Sequence, residues 1–269
     1  MRDNLKNETY FFSFINEKQE SINKRNRKLE TNSIKEDRIV PVKKVMSYTY
    51  WQIANAKYSL GTISFTELQA DLSKGITLLH ESLINNNGKV HVKEDIYRDQ
   101  YYVNIYQEIL QNISLTCLLN QNDQDFGTIV GIIDRDNISD NLLEFIIKSK
   151  FKNRNNNRPE EYDQKHSIVL KVYDKLRKAI EQKDKSEASK LVKQFLEEDF
   201  YNEHSNCYEL QNKTYNAYYG CWSFEAAAIV KIMGLDDSSF IDNQYYPKDL
   251  VHPIKEKTKK KGLLGKLGF

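Results

Sequence analysis

The run from Trp222 to Met233 constrains this chain more than any other stretch. It contains neither Pro nor Gly, and Ala226-Ala227-Ala228 favours helix. Trp222, Ala226, Ile229, Val230 and Met233 recur at helical spacing and define one face. Ala227, Ala228 and Ile232 fall off that face and are apolar too. A helix apolar on most sides must be enclosed by other elements. The stretch therefore predicts a central apolar helix near the C-terminus, with alanines that let neighbours approach closely. Gly234 follows the last turn, where a left-handed backbone is favoured. Tyr245 and Tyr246 precede Pro247, which disfavours helix in the residue before it, so both rings are expected to fold back onto the helix. Glu225 is the anomaly. A carboxylate in the first turn of an apolar helix calls for a buried partner such as a Lys, an Arg or a Tyr hydroxyl.

The rest of the chain offers helices to enclose it. Only 10 Gly and 4 Pro occur in 269 residues, too little turn chemistry for an all-β fold. A helix is expected over 3–30, with a cationic end at Lys24-Arg25-Asn26-Arg27-Lys28 that suits the helix dipole. A second covers 40–60, with Pro41 in its first turn, where proline is tolerated. Ser64 and Glu67 form a capping box for a third, striped by Phe65, Leu68, Leu72, Ile76, Leu79 and Leu83. Val90, Val92 and Ile96 suggest a short extended piece. Tyr102, Ile105, Ile109, Ile113 and Leu118 mark a fourth helix, and Ile129–Ile133 and Leu142–Ile147 two shorter ones. A helix over 162–183 precedes one capped by Asp184 and Glu187, bearing Leu191, Val192, Phe195, Leu196 and Phe200. The fold class is thus all-α, a bundle of about eight to ten helices. Lys148, Lys150, Lys152, Arg154 and Arg158, interleaved with asparagines and followed by Pro159, read as a polar linker. This divides the chain into helical regions 1–150 and 151–253 and a disordered basic tail, 254–269.

Charge and cysteine usage narrow the function. The net charge is +2, but the tail contributes +5, so the body carries −3. Cys117, Cys207 and Cys221 are odd in number and widely spaced, so no disulfide framework and a reduced, cytoplasmic setting are expected. No run reaches the roughly 20 apolar residues of a membrane span. The histidines and cysteines complete no metal frame, so no metal site is expected. No glycine-rich phosphate cradle or elbow serine occurs, and no cofactor or catalytic set follows. The paired aspartates Asp123/Asp125, Asp134/Asp136 and Asp236/Asp237 leave one alternative, a metal-dependent nucleic-acid hydrolase. The 148–158 arm with the tail leaves another, a nucleic-acid-binding protein, against which the net acidic body argues. Nothing in the pattern sets an oligomeric state.

Two acidic runs rise above this background. Residues 120–147 hold Asp123, Asp125, Asp134, Asp136, Asp140 and Glu144 against Arg135 alone. Residues 195–212 hold Glu197, Glu198, Asp199, Glu203 and Glu209 with no Lys or Arg. Acidic faces steer association with basic partners, and these carboxylates, apart from Glu209, are the candidate partner-binding residues.

The block Tyr219-Gly220-Cys221-Trp222-Ser223-Phe224-Glu225-Ala226-Ala227-Ala228, with Ile232-Met233-Gly234-Leu235-Asp236-Asp237-Ser238 and Tyr245-Tyr246-Pro247-Lys248-Asp249-Leu250, resembles the C-terminal domain of the PoNi family. Tyr58-Ser59-Leu60-Gly61 and the capping box at Ser64 resemble its N-terminal domain more loosely. PoNi proteins are immunity proteins against PoNe polymorphic DNase toxins. The resemblance implies an all-helical, non-enzymatic protein that binds a cognate toxin and blocks its DNase domain. The signature residues are then Trp222, Phe224, Glu225, Gly234, Tyr245, Tyr246 and Pro247.

Overall fold

Helix signals in the sequence become helices in the computed structural model, which describes residues 1–61, 64–120, 122–155, 158–160, 162, 163, 165 and 168–252. The basic tail expected over 254–269 lies outside the described residues. The N-terminal half opens with α1 (Glu8–Glu30), where Asn7 accepts from the Tyr10 amide, and α2 (Glu36–Leu60). The second helix starts earlier than the expected 40–60, so Pro41 sits in its second turn rather than its first. There it leaves a carbonyl of the preceding turn without its helical donor. The N-cap half of the capping box is present: Ser64 accepts from the Glu67 amide and opens α3 (Phe65–Ser82). The extended piece is an antiparallel hairpin, β1 (Lys89–Lys93) and β2 (Ile96–Tyr101), pairing Lys89 with Tyr101 and His91 with Tyr97. It is the one sheet among the described residues of a predominantly helical protein.

Next come α4 (Val103–Leu118), α5 (Asp123–Arg135) and α6 (Asn141–Lys150). The helix expected over 162–183 is two pieces, α7 (Ile168–Val172) and α8 (Asp174–Glu181), interrupted at Tyr173. Asp184 caps α9 (Lys185–Gln194), which widens into a π-helical turn at Phe195–Asp199. After an irregular segment come α10 (Phe224–Met233) and α11 (Lys248–Val251). Ser223 caps α10 through the Ala226 amide, and Gly234 closes it at φ +62°.

The core explains this arrangement. Phe224 to Val230 are all buried, and α10 packs against α4, α6, α8, α9 and α11. Helix α4 is almost as enclosed, although it carries Gln107, Glu108, Gln111, Asn112, Ser114 and Thr116. Much of that polarity is answered locally: Thr116 Oγ1 donates to the Asn112 carbonyl (2.7 Å) and Asn112 Nδ2 to the Glu108 carbonyl (2.8 Å). One hydrophobic cluster runs from Phe11 and Phe14 through α2–α6 into α7–α11.

The two halves are also tied by polar contacts. Arg2 Nε donates to Asp249 at 2.7 Å, and Tyr218 Oη donates to Asp3 at 2.6 Å. Trp222 Nε1 donates to Ser59 Oγ at 2.8 Å, and the Trp222 ring meets Tyr58 edge-on at 5.0 Å. A Cβ on Gly220 would fall 2.1 Å from Ser59 Oγ, so only glycine allows this approach, and its φ of +106° suits glycine alone. Lys231 Nζ donates to the Leu118 and Leu250 carbonyls, joining the C-terminal ends of α4 and α11. Burial lowers the pKa of this lysine, while the carbonyl dipoles at two helix ends favour its charge.

One expectation is corrected outright. Cys207 and Cys221 form a disulfide, with Cα atoms 5.4 Å apart. Spacing in sequence concealed it because the intervening segment loops back on itself. Cys117 is the free thiol.

Candidate interaction surface

Capping places the first acidic run. A carboxylate flanking a helix satisfies end amides that have no helical partner. Asp140 is the N-cap of α6 and accepts from the Leu143 amide at 2.7 Å. Its oxygens also accept from the hydroxyls of Tyr106 (3.0 Å) and Tyr162 (2.5 Å) and from Arg177 (2.7 Å). The Arg177 guanidinium donates to Glu160 as well. Burial raises the pKa values of Tyr106 and Tyr162 well above the ordinary phenol value, and the Asp140 charge adds to this. Burial works against the charge on Arg177, but Asp140, Tyr106 and Glu160 together outweigh it and raise that pKa.

The rest of this run is similarly engaged. Arg154 forks between Asp134 (2.5 Å) and Glu144 (2.7 Å), and these hydrogen bonds raise its pKa. Asp136 is buried, accepting from Tyr101 Oη (2.8 Å) and Arg135 Nε (3.0 Å). Asp125 is buried and accepts from Ser73 Oγ (2.9 Å). Asp123 lies outermost, 84% exposed and 3.1 Å from Lys150. Arg158 donates to the carbonyls of Asn137 and Ile138. Of the segment read as a polar linker, Lys150 and Arg154 therefore pair with acids of the run, and Arg158 bonds its backbone.

The second run is built differently. Glu197, Glu198 and Asp199 lie on the π-helical turn, where i→i+5 pairing widens the helix. Lys175 bonds Glu198 (3.0 Å) and Asp199 (2.6 Å), and Lys193 approaches Glu197 at 3.8 Å. All three acids remain partly exposed, Asp199 least so. Glu203 is 78% exposed with His204 3.5 Å away. Glu209 adopts a left-handed backbone, φ +53°, and its amide donates to Tyr201 Oη at 3.0 Å. Tyr208, next to Glu209, and Tyr215, six residues beyond it, are exposed. Sequence reasoning missed both tyrosines; aromatic residues within a run of acids and asparagines were the available signal. The Cys207–Cys221 disulfide fastens this segment to the start of the signature block.

The signature residues themselves face inward. Phe224 meets Trp51 at 5.7 Å and Tyr58 at 5.8 Å, both edge-on. Tyr246 Oη donates to Asp237 at 2.7 Å, and Pro247 is the residue before α11. The Tyr245 carbonyl accepts from the Ser223 amide at 2.8 Å. The partner expected for Glu225 is not there. Both carboxyl oxygens are buried without a hydrogen-bond partner of normal geometry. Burial raises its pKa to about 7, offset in part by its own amide and the Ser223 hydroxyl.

Among the described residues, no group of three or more His, Cys, Asp or Glu is arranged to hold a metal ion. No described helix is long and apolar enough to cross a membrane. The N-terminal family model of the PoNe immunity proteins (PoNi) matches residues 2–130, and the C-terminal one matches residues 138–250. No curated protein and no solved structure matches the chain.

Proposed function

The chain belongs to the family of PoNe immunity proteins (PoNi), and from that premise we propose that it neutralises one cognate PoNe-type DNase toxin by forming a protein–protein complex. It acts in the cytoplasm of a cell exposed to the toxin during competition between bacteria, as a binding protein and not as an enzyme. The complex covers the toxin's DNA-binding or active-site surface. A nuclease must meet phosphates, so that surface is basic, and an acidic inhibitor complements it.

The observation that carries the choice of surface is the contrast in exposure between the acidic runs. Glu197, Glu198 and Glu203 reach solvent, with Asp199 beside them, whereas Asp125, Asp136, Asp140 and Glu144 are buried. The contact is therefore centred on 197–209, with Tyr208 and Tyr215 as aromatic anchors. Asp123 and Asp134 stand outside it, as a secondary acidic margin.

The test is binding to the purified nuclease domain at low and high salt, alongside protection of DNA from cleavage. Replacing Glu197, Glu198 and Glu203 with Lys should weaken binding about 10- to 100-fold and flatten its salt dependence, since paired charges at barnase–barstar-like interfaces couple by roughly 1.5–7 kcal/mol. Unchanged affinity and unchanged protection would exclude this surface.

A further inference from the structure

The cationic end of α1 is not used to close the helix. Its last carbonyls are already answered. The Thr31 amide and hydroxyl donate to the Arg27 carbonyl at 3.0 and 2.8 Å, the Asn32 amide to Leu29 at 3.1 Å and the Ser33 amide to Lys28 at 2.9 Å. Lys24, Arg27 and Lys28 are left exposed on this end. Exposed Lys35 and Arg38 join them from the start of α2, where the helix dipole disfavours cations. A short turn with Asn32 at φ +50° joins the two helix ends into one tip.

None of these five cations forms an ion pair with a described residue, and Arg27 reaches only its own helix, at the Asn23 carbonyl (3.4 Å). Further along α2 the pattern changes: Lys43 pairs with Glu81 at 3.0 Å and Lys44 with buried Glu108. Three acids share the tip, Glu30, Glu36 and Asp37. The last two occupy the first turn of α2, whose end amides have no side-chain cap and favour negative charge. The tip therefore keeps a positive surplus. Leu29 packs it onto a small apolar cluster of Ile22, Met46, Tyr50 and Ile53, apart from the main core. The loop carrying Tyr215 meets α1 at Glu17, where Asn216 Nδ2 donates at 3.0 Å. From Glu17 to Lys28 the helix runs on for about 16 Å at roughly 1.5 Å per residue. That is about twice the Debye length of roughly 8 Å at physiological salt, so acids on the far side of Glu17 do not cancel this field.

Phosphate oxygens fit these donors. Exposed Asn23, Thr31, Asn32 and Ser33 lie among the cations, and such side chains together with Lys and Arg make most contacts to nucleic-acid backbones. A bilayer fits less well, because insertion needs exposed apolar side chains and no large hydrophobic residue within 20–40 is exposed. We propose that the α1–α2 tip is a sequence-independent contact for the phosphate backbone of duplex DNA, made by Lys24, Arg27, Lys28, Lys35 and Arg38. The contact itself does not rest on the toxin-binding reading. Its use does: it holds the protein on the polymer that the nuclease seeks and so raises the local concentration of the inhibitor.

The test titrates the full chain into a fluorescein-labelled DNA duplex at a series of salt concentrations, with anisotropy as the readout and no nuclease present. One variant carries Lys24→Gln, Arg27→Gln, Lys28→Gln, Lys35→Gln and Arg38→Gln, since glutamine nearly matches these residues in helix propensity. A second carries Gln at the six lysines of 254–269 and reports the tail's own share. The tip variant should bind about tenfold or more weakly at low salt, with an unchanged melting temperature. Its slope of log K against log salt should be shallower by about 2–4, at roughly 0.9 per phosphate contact. Should that variant melt lower, Lys28→Gln with Arg38→Gln must still make the slope shallower by about 1–2. No binding by the wild-type chain, loss confined to the tail variant, or an unchanged slope in the tip variants overturns the proposal. So does tip-dependent binding to phosphatidylglycerol vesicles, or a tip-dependent dimer in sedimentation, without tip-dependent binding to the duplex. The toxin is read apart. Wild-type binding to the nuclease domain with no DNA contact strikes only the tip, and binding to the duplex but not to the nuclease strikes only the toxin-binding reading.

Discussion

Residues 120–147 and 195–212 look alike in sequence, each an acidic run with almost no cation, yet they fold into opposite things. In the first, Asp136, Asp140 and Glu144 turn inward and meet Arg135, Arg177 and Arg154. In the second, the acids sit on a widened turn and an irregular loop, touched by Lys175 and Lys193 but left partly exposed. The difference teaches that a charged run becomes a charged surface only if no opposite run folds onto it. Lys150 and Arg154 from 148–158 do fold onto the first. Glu225 marks the far extreme, its carboxyl oxygens buried without a hydrogen-bond partner among the described residues.

The largest effect should come from breaking the inward network. Arg177→Met leaves Asp140 buried without its cation. A loss of about 3–5 kcal/mol is expected on removing one partner of a buried pair, measurable as a lower urea midpoint. Affinity for the nuclease per folded molecule should not change. A loss below 1 kcal/mol would mean that Asp140 is not held by charge and that the two runs differ less than their geometry implies.

The next effect tests whether the outward region owes its order to its tether. The disulfide encloses a loop with a sequence separation of 14, for which chain entropy gives about 3 kcal/mol. Cys207→Ser with Cys221→Ser should lower stability by about that amount. It should also raise amide exchange across 203–217 without raising it across α5 and α6. Equal exchange gains in both regions would remove the distinction between a tethered segment and a packed one.

Glu225 gives the pH dependence its sign. Its folded pKa of about 7 lies above the ordinary carboxyl value of 4.5. Below about pH 4.5 the group is protonated in both folded and unfolded chains and costs nothing. As pH rises toward 7, the unfolded chain ionises while the folded one resists, so stability falls, and above 7 the loss is constant. At about 1.4 kcal/mol per unit, the total is on the order of 3 kcal/mol. Glu225→Met should remove that fall between pH 5 and 8, as read from denaturant midpoints at each pH. An unchanged pH profile in the variant would show that the carboxyl finds a partner.

The smallest stability effect belongs to the outward acids. Glu203→Lys should shift stability by no more than about 0.5 kcal/mol, as is usual for exposed substitutions. The same variant should reduce affinity for the nuclease, with the loss shrinking in high salt. A large stability change would place Glu203 inside the fold.

Much of the architecture was legible in the residues. The spacing from Phe65 to Leu83, the capping serine at 64 and the alanine run before Gly234 each act within one or two helical turns. The structure places helices there with the expected caps. Helix α4 was legible only as a stripe, because Gln107, Glu108 and Asn112 look like surface residues until the distant His204 carbonyl, Lys44 and the Glu108 carbonyl, respectively, answer them. The tyrosines that complete the Asp140 network, Tyr106 and Tyr162, come from positions 34 residues before and 22 residues after it. No local pattern connects them.

Sequence alone determined the helical class, most helix ends, the family block around Trp222 and the oddity of Glu225. All of these follow from short-range periodicity, capping chemistry and residue type. Only the tertiary structure decided which acids face water, that Cys207 meets Cys221, and that Trp222, Tyr245 and Tyr246 border a cavity. Those outcomes depend on contacts between residues far apart in the chain. Charge pairing, disulfide formation and cavity shape are set by distance in space, which the order of residues does not encode locally.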